Sequence, residues 1–400
     1  MPELKLKVFN ANKDAFVFVE SSENSNNFFI IKKGKARIIR EVEVTDRPEE
    51  NMLSDGDYFG VVSCMGKRPR LEAVQTITDC QLISVEHEQF IDLIKKNKAV
   101  ALKILKLYSK KLRAFDDAIT RQSLKKPLSS NPENLFQVGL YYYNNKEFEQ
   151  AAYAFEHFNK CCPHSTNVQK AYQYLSELKP KTPDYKEYEQ MSALVRMYKD
   201  KRILFCENEP GGDVFIIQEG KIKITKIVGD QEVLLAVLNP GDIVGEMALI
   251  ENKPRSANAI AFGDLKVLAI NQANFQEMVG NQPQITLKII QLLSERIWVA
   301  YRQLENLAIP DEFGRILDIL LIQIQKRRVG IERRKSIEFD FGEDELLNMA
   351  GFDKDKGNLH IKKLLEDPNF KLVSGKITVE DVDILNNQVE HYRKKIKKDR

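Results

Sequence analysis

The chain has 400 residues, 43% of them hydrophobic, and a formal net charge of +3. That length allows two to four domains with real cores, and the near balance of charge excludes a protein marked as a nucleic-acid binder by bulk charge alone. No apolar run reaches membrane-spanning length, Met1–Lys5 opens no signal-peptide core, and five cysteines without a regular framework read as reduced thiols; a cytoplasmic protein without membrane contact is expected.

Residues 1–90 read as strand-rich, with alternating runs at 15–20 and 28–31 before Gly34. A helix is predicted from about Glu88 to Arg121, because Ala101, Leu105, Tyr108, Leu112, Phe115 and Ile119 alternate at spacings of 4 and 3. Lys125–Pro132 is a linker or helix-start signal. Residues 133–180 are helical in pattern. Gly139, Tyr142, Ala151, Phe155 and Pro163, with Leu135 and Val138, resemble a tetratricopeptide repeat, although Phe158 stands where that family has a small residue. One repeat plus the helix 168–178 is too little for a solenoid, so a spacer or docking element that covers its apolar face on a neighbour is expected.

Residues 190–280 turn strand-rich again and repeat the first segment. Asn27–Lys35 lies over Asp213–Lys221, Asp55–Gly60 over Pro240–Gly245, and Arg68-Pro69-Arg70 over Lys253-Pro254-Arg255. The second copy contains the richest stretch of the chain, Gly245-Glu246-Met247-Ala248-Leu249-Ile250, closed by Pro254 before Arg255 and Ser256. Gly245 allows close backbone approach, a short helical turn offers N–H groups to an anion, and an arginine can clamp phosphate with a fork of donors.

This run resembles the phosphate-binding cassette of the cyclic-nucleotide-binding domain. The resemblance implies that Glu246 holds the ribose 2′-hydroxyl, that Arg255 pairs with the cyclic phosphate, and that Gly245, Ala248, Leu249 and Ser256 line the site. Members that read adenine often carry a Thr-Ser pair on the following helix; Ala300-Tyr301 stands there, so Tyr301 or Trp298 stacks on the base or simply packs. In the first copy Val61 and Leu71 replace Glu246 and Ser256. A valine cannot accept a hydroxyl proton, so the first copy reads as a degenerate sensor whose Arg70 makes a salt bridge.

A second seam, Ile290, Leu293, Ile297, Ala300, Leu304 and Leu307, follows, and Ile309-Pro310-Asp311 ends it. A further amphipathic helix is expected from Asp311 to about Arg327. A strand at 336–341, helices at 343–349 and 354–365, a hairpin with a Ser-Gly turn at 371–379 and a basic terminal helix come next. This region resembles the winged helix-turn-helix of the catabolite-activator/FNR superfamily. Lys354, Lys356, His360, Lys362 and Lys363 are its candidate DNA contacts, opposed by Asp353 and Asp355, and Gly357 weakens the helix.

The expected fold is α+β: two β-roll (jelly-roll) cyclic-nucleotide-binding domains, a helical tetratricopeptide-like insert and a C-terminal winged helix-turn-helix. The boundaries are 1–124, 125–185, 186–309 and 310–400. The resemblance implies a cyclic-nucleotide-responsive, DNA-binding transcription regulator, with cAMP favoured over cGMP as effector. A nucleotide-gated adaptor resembling a kinase regulatory subunit is the alternative, disfavoured because no inhibitory substrate-like segment precedes the first copy. The seam needs a partner, either the first copy's helix or the helix 283–308 of a second chain; a two-fold DNA site favours a homodimer. The insert at 125–185 is a candidate protein-docking element. No nucleophile–base set supports an enzyme. His157, Cys161, Cys162 and His164 lack a zinc-knuckle spacing, so no metal is expected, and Arg333-Arg334-Lys335-Ser336 reads as a loop before a strand.

Overall fold

A computed structural model describes residues 6–45, 48–124, 133–228, 231–251, 253–327, 336–350, 352 and 354–398. The linker 125–132 and the basic run 333–335 lie outside the described residues. The chain divides into two compact units, Met1–Trp298 and Val299–Arg400.

The first unit opens with two four-stranded antiparallel sheets. One is ordered 7–11, 80–86, 27–33, 58–59, and the other 16–18, 73–76, 36–39, 52–53. Period-2 alternation puts Phe29, Ile31 and Leu82 on the inner face of one sheet and Ala36, Ile38 and Val74 on that of the other, and these side chains form one core. The strand expected at 15–20 is confined to Phe16–Phe18, where its pairing with 73–76 is irregular. Helix α1 is Val61–Gly66, α2 Phe90–Lys96 and α3 Lys98–Leu124. The single helix predicted from 88 is two, because Asn97 takes an extended backbone with φ −142°.

Three helices follow: α4 (Asn134–Asn144), α5 (Phe148–Cys161) and α6 (Val168–Leu178). Gly139 lets α4 close onto α5, since a Cβ there would stand 2.6 Å from the Phe155 ring. Phe158 is fully buried in this cluster, which also takes in Ile203, Cys206 and Ile260 of the following strands. The neighbour that covers the insert's apolar face is thus the second β module of the same chain.

That module is one seven-stranded antiparallel sheet. Its long strands 213–228 and 258–271 bend through register shifts and carry the shorter strands 189–190, 195–198, 203–205, 231–238 and 243–244. The two modules share the same local bonds. Phe29 pairs with Phe59 and Ser84, and Phe215 with Val244 and Ala269. Gly56 N–H donates to Ile31 O at 2.7 Å and Gly241 N–H to Ile217 O at 2.8 Å; Ser54 N–H donates to Asp57 Oδ2 at 2.7 Å and Asn239 N–H to Asp242 Oδ2 at 2.8 Å. Helix α7 (Glu246–Glu251), α8 (Gln272–Asn281) and α9 (Pro283–Leu307) complete the module, and the boundary between the units falls inside α9.

In the second unit α9 stops before Pro310. Helix α10 (Glu312–Lys326) is capped by Asp311, which accepts from Gly314 N–H at 2.7 Å. Then come strand 337–338, α11 (Glu343–Ala350), α12 (Lys354–Glu366), the hairpin 370–373/376–379 and α13 (Val382–Lys398). The strands form a sheet ordered 337–338, 376–379, 370–373. The hairpin turns through Ser374 and Gly375, both at positive φ, as a two-residue turn requires. Leu320, Phe339, Leu346, Leu364, Ile377 and Leu385 lie in one core.

Candidate functional site

Arg255 sits where the chain leaves α7 for the strand 258–271, and the loop at 206–211 wraps its backbone. Arg255 N–H donates to Glu209 O at 2.8 Å, and Asn208 N–H donates to Arg255 O at 2.9 Å. The guanidinium lies 4.1 Å from the Phe205 ring centroid and donates to Gly245 O and Asp213 O, both at 2.7 Å. Gly245 has φ +89°, and a Cβ there would come within 2.5 Å of the guanidinium. The arginine is only 5% exposed, and its Nε–H finds no acceptor among the described residues.

Glu246, the first residue of α7, is 1% exposed. Neither carboxylate oxygen has a hydrogen bond of good geometry among the described residues; the residue's own N–H and Arg296 of α9, 3.5 Å from Oε1, are the donors that face it. Burial raises its pKa, against the pull of Arg296. A carboxylate held dry with unfilled lone pairs is costly, and a hydroxyl or N–H donor would relieve it. Ala248 is buried with its methyl where a Cβ on Gly211 would stand, 2.5 Å away, and Ser256 is half-buried. The Leu249 side chain lies outside the described residues. Trp298 is covered by the Arg68 guanidinium at 4.5 Å, and Tyr301 is buried beyond the unit boundary.

The first module builds the same arginine cradle. Arg70 N–H donates to Ser22 O at 3.0 Å, and Ser21 N–H donates to Arg70 O at 2.7 Å. Its guanidinium lies 4.3 Å from the Phe18 ring and donates to Gly60 O, Asn24 O and Asn27 Oδ1. The salt bridge expected for Arg70 is therefore corrected: the acceptors around its fork are neutral. The nearby carboxylate, Glu72, is taken by Arg40 at 2.7 Å and Lys111 at 2.9 Å. Burial alone would raise the Glu72 pKa, but Lys111 and Arg40 hold it down to about 2. Val61 is buried where Glu246 stands in the other copy. An open groove of about 640 Å³ runs beside Arg70, lined in part by Phe9, Phe18, Asn27 and Phe29.

The two modules dock through their helices. Helix α3 packs on α7 and on the strand 231–238. Tyr108 and Ser294 hydroxyls meet at 2.8 Å, Arg68 Nε donates to Glu295 Oε2 at 3.1 Å, and Arg113 Nη2 donates to Pro254 O at 2.9 Å. Ile290, Leu293 and Ile297 are buried inside the single chain, so this part of the seam leaves no apolar face for a second copy. Sequence reasoning weighed His157 only as a metal ligand and missed its carboxylate partners. It stands on α5 with Nδ1 3.2 Å from Glu209 Oε2 and Nε2 3.3 Å from Glu187 Oε1, and these carboxylates outweigh burial to raise it to about 9. Among the described residues no group of three or more metal-ligating side chains comes together.

In the second unit the Lys354 and Lys356 side chains lie outside the described residues, although their backbone is helical. His360 Nε2 is 3.0 Å from Glu312 Oε2. Lys362 and Lys363 are exposed, the latter with its Nζ 4.1 Å from the Phe313 ring centroid. Gly357, read as a weakness, is a contact point: a Cβ there would lie 2.5 Å from Leu347 of α11. No helix among the described residues is long and apolar enough to cross a membrane.

The family described as cyclic nucleotide-binding domain matches residues 9–97 and 195–282. The Cyclic AMP receptor protein of Thermus thermophilus is 25% identical over 191 residues, 48% of this chain and 85% of that protein. The cAMP-activated global transcriptional regulator CRP of Salmonella typhimurium is 26% identical over 203 residues, 50% of this chain and 96% of that one. A solved structure of a CooA mutant from Carboxydothermus hydrogenoformans is 19% identical, covering 56% of this chain and 94% of its own, with a TM-score of 0.42. The chain thus carries two stretches that match the cyclic-nucleotide-binding domain, and its relatives include a cAMP receptor protein and a cAMP-activated transcription regulator.

Proposed function

We propose that the chain is a cyclic-nucleotide-responsive, DNA-binding transcription regulator that takes its effector in the second β module, with cAMP the favoured nucleotide and the cytoplasm its compartment. The observation that carries this reading is the buried, unfilled carboxylate of Glu246 beside Arg296, in the same cassette as Arg255. Arg255 would face the phosphate, Glu246 the ribose hydroxyl, and Gly245, Ala248, Leu249 and Ser256 the surrounding surface. Tyr301 remains a candidate near the base. The continuous helix α9 is the covalent path from sensor to reader, and the effector shifts that helix only by its differential affinity for two states. The helices at 134–178 act as a tetratricopeptide-like brace.

The C-terminal elements read as a winged helix-turn-helix, with α12 as reader through Lys354, Lys356, His360, Lys362 and Lys363. A dimer on a two-fold DNA site would use a surface other than the buried stretch Ile290–Ile297. Calorimetric titration with a cyclic-nucleotide panel tests the sensor; no binding would sink it. A DNA-shift assay at low salt, with nucleotide present, tests the reader. Changing Lys354 and Lys356 together to Glu should cost several kcal/mol, roughly 1–3 per contact, and a smaller, sequence-independent loss should follow Lys394 and Lys395 to Glu. Undiminished binding by the Lys354/Lys356 variant would favour the adaptor reading, in which the module contacts protein.

A further inference from the structure

Helix α3 belongs to the first module, yet one of its faces is spent on the second. Residues 113, 116 and 117 share that face by helical spacing. Arg113 donates to Pro254 O, next to Arg255, and Asp117 bonds Lys226 Nζ at 2.7 Å, which also stands 3.2 Å from Glu207. Between them Asp116 is 4% exposed, and its Oδ2 has no hydrogen-bond donor among the described residues. The charges that face it are Arg296 of α9, Lys226 of the strand 213–228, Glu246 of α7 and Asp117 of its own helix. Arg296 thus sits among two buried carboxylates, Asp116 and Glu246, both with oxygens left unfilled.

Arg296 Nη1, itself without a hydrogen-bond acceptor among the described residues, stands 3.5 Å from Glu246 Oε1, so Glu246 Oε2 and Asp116 Oδ2 are the two oxygens of the cluster that call for donors from outside. A cyclic nucleotide carries donors of two kinds, the ribose O–H and the N–H groups of its base. Glu246 begins the cassette helix and is matched to the ribose. The leftover acceptor comes from outside the module and is matched to the base. Burial pushes the Asp116 carboxyl up to about 6, so at neutral pH it is ionised and can only accept.

We propose that Asp116, carried by the first module, is a specificity-determining residue of the second module's nucleotide site, where it accepts a hydrogen bond from an N–H donor on the base. This rests on the nucleotide reading above and gives the degenerate module a part in recognition, since it reads the base in its neighbour's site. A site built around a buried acceptor rejects a ligand without the matching donor, because the acceptor is then left unfilled.

The test titrates the full chain with cAMP, cGMP and the cyclic phosphate of purine riboside, which lacks exocyclic donors. The parent should prefer cAMP or cGMP over the donor-free analogue by roughly 10- to 100-fold, as expected for one hydrogen bond to a charged group. cAMP preference assigns the adenine amino group, and cGMP preference assigns the guanine N–H edge. Asp116→Ala should bring the ratio close to one while leaving the donor-free analogue's affinity within a few-fold. Asp116→Asn, almost isosteric and still an acceptor, should keep part of the ratio and serves the same comparison if the alanine variant melts early. An unchanged ratio in both variants, or no discrimination by the parent, overturns the proposal. Arg255→Ala separates the two levels: if the parent binds no nucleotide or this variant binds normally, the site reading itself fails, and the Asp116 assignment fails with it.

Discussion

The two β modules hold an arginine in the same cradle, stacked on a phenylalanine and fixed to the carbonyl of a left-handed glycine, and they differ in what stands beside it. In the second module it is Glu246, dry and unfilled; in the first it is Val61, while the local carboxylate, Glu72, is already bound by two cations. Keeping the cradle is therefore a requirement of the fold: the arginine's backbone is bonded to the loop at 206–211 or 19–24, and its guanidinium holds the carbonyl of the glycine that opens α7 or α1. On the proposed reading, ligand chemistry is the added layer, and it depends on a carboxylate that the fold leaves unsatisfied.

The sharpest break in the comparison is Glu72→Ala. Arg40 and Lys111 would be left buried with an uncompensated charge, at a cost of about 3–5 kcal/mol, read by chemical denaturation. A loss below about 1 kcal/mol would mean that water reaches the trio. The parent should show the matching acid signature. Because the folded state holds the Glu72 pKa at about 2 against an ordinary 4.5, its stabilisation is present above pH 4.5 and is lost as pH falls toward 2, a contribution of about 3 kcal/mol. The Glu72→Ala variant should lack it.

Arginine truncation comes next. Arg255→Ala and Arg70→Ala should both lose about 1–3 kcal/mol of stability, since each removes guanidinium bonds to buried acceptors. Only Arg255→Ala should also lose nucleotide binding, by at least about 100-fold in calorimetry, because a phosphate would lose its charged fork. Binding lost in Arg70→Ala and kept in Arg255→Ala would move the site to the groove of the first module.

The smallest effect concerns His157 of the insert, whose partners Glu187 and Glu209 belong to the second module, so that the first module has no counterpart. Its folded pKa is raised to about 9 from 6.5, so its contribution is fully present below pH 6.5 and disappears as pH rises through 9. Allowing for its partly solvated ring, about 1–2 kcal/mol should be lost between pH 7 and pH 10, measured by thermal melting, with His157→Ala flat over that range. An identical slope in the variant would place the titration elsewhere.

The repeat is legible in the sequence because its signals are local: Gly241-Asp242 matches Gly56-Asp57 in residue type and again in backbone bonds. The Glu–Arg spacing of the cassette is legible for the same reason. The surroundings of Arg70 are not, because a sequence displays charges but not which carbonyls a loop folds around them. Gly357 misleads because helix propensity is a property of one helix, whereas its value lies in contact with Leu347. The meeting of Tyr108 with Ser294 joins residues 186 apart, and no periodicity records such a pair. His157 looks like a stray metal ligand until Glu187 and Glu209 arrive from outside its helix.

The docking of α3 onto the second module inside one polypeptide has a consequence for the shape of the response. A regulator assembled from two identical sensors can couple two occupied sites, and its dose–response curve steepens. Here the companion of the second sensor is fused to it and carries Val61 in place of the acceptor. On the proposed reading, a chain acting alone therefore has one occupancy to report, and its output should follow effector concentration along a simple hyperbola with a Hill coefficient of about one. Such a device trades a threshold for a graded dial, and its midpoint is set by a single dissociation constant.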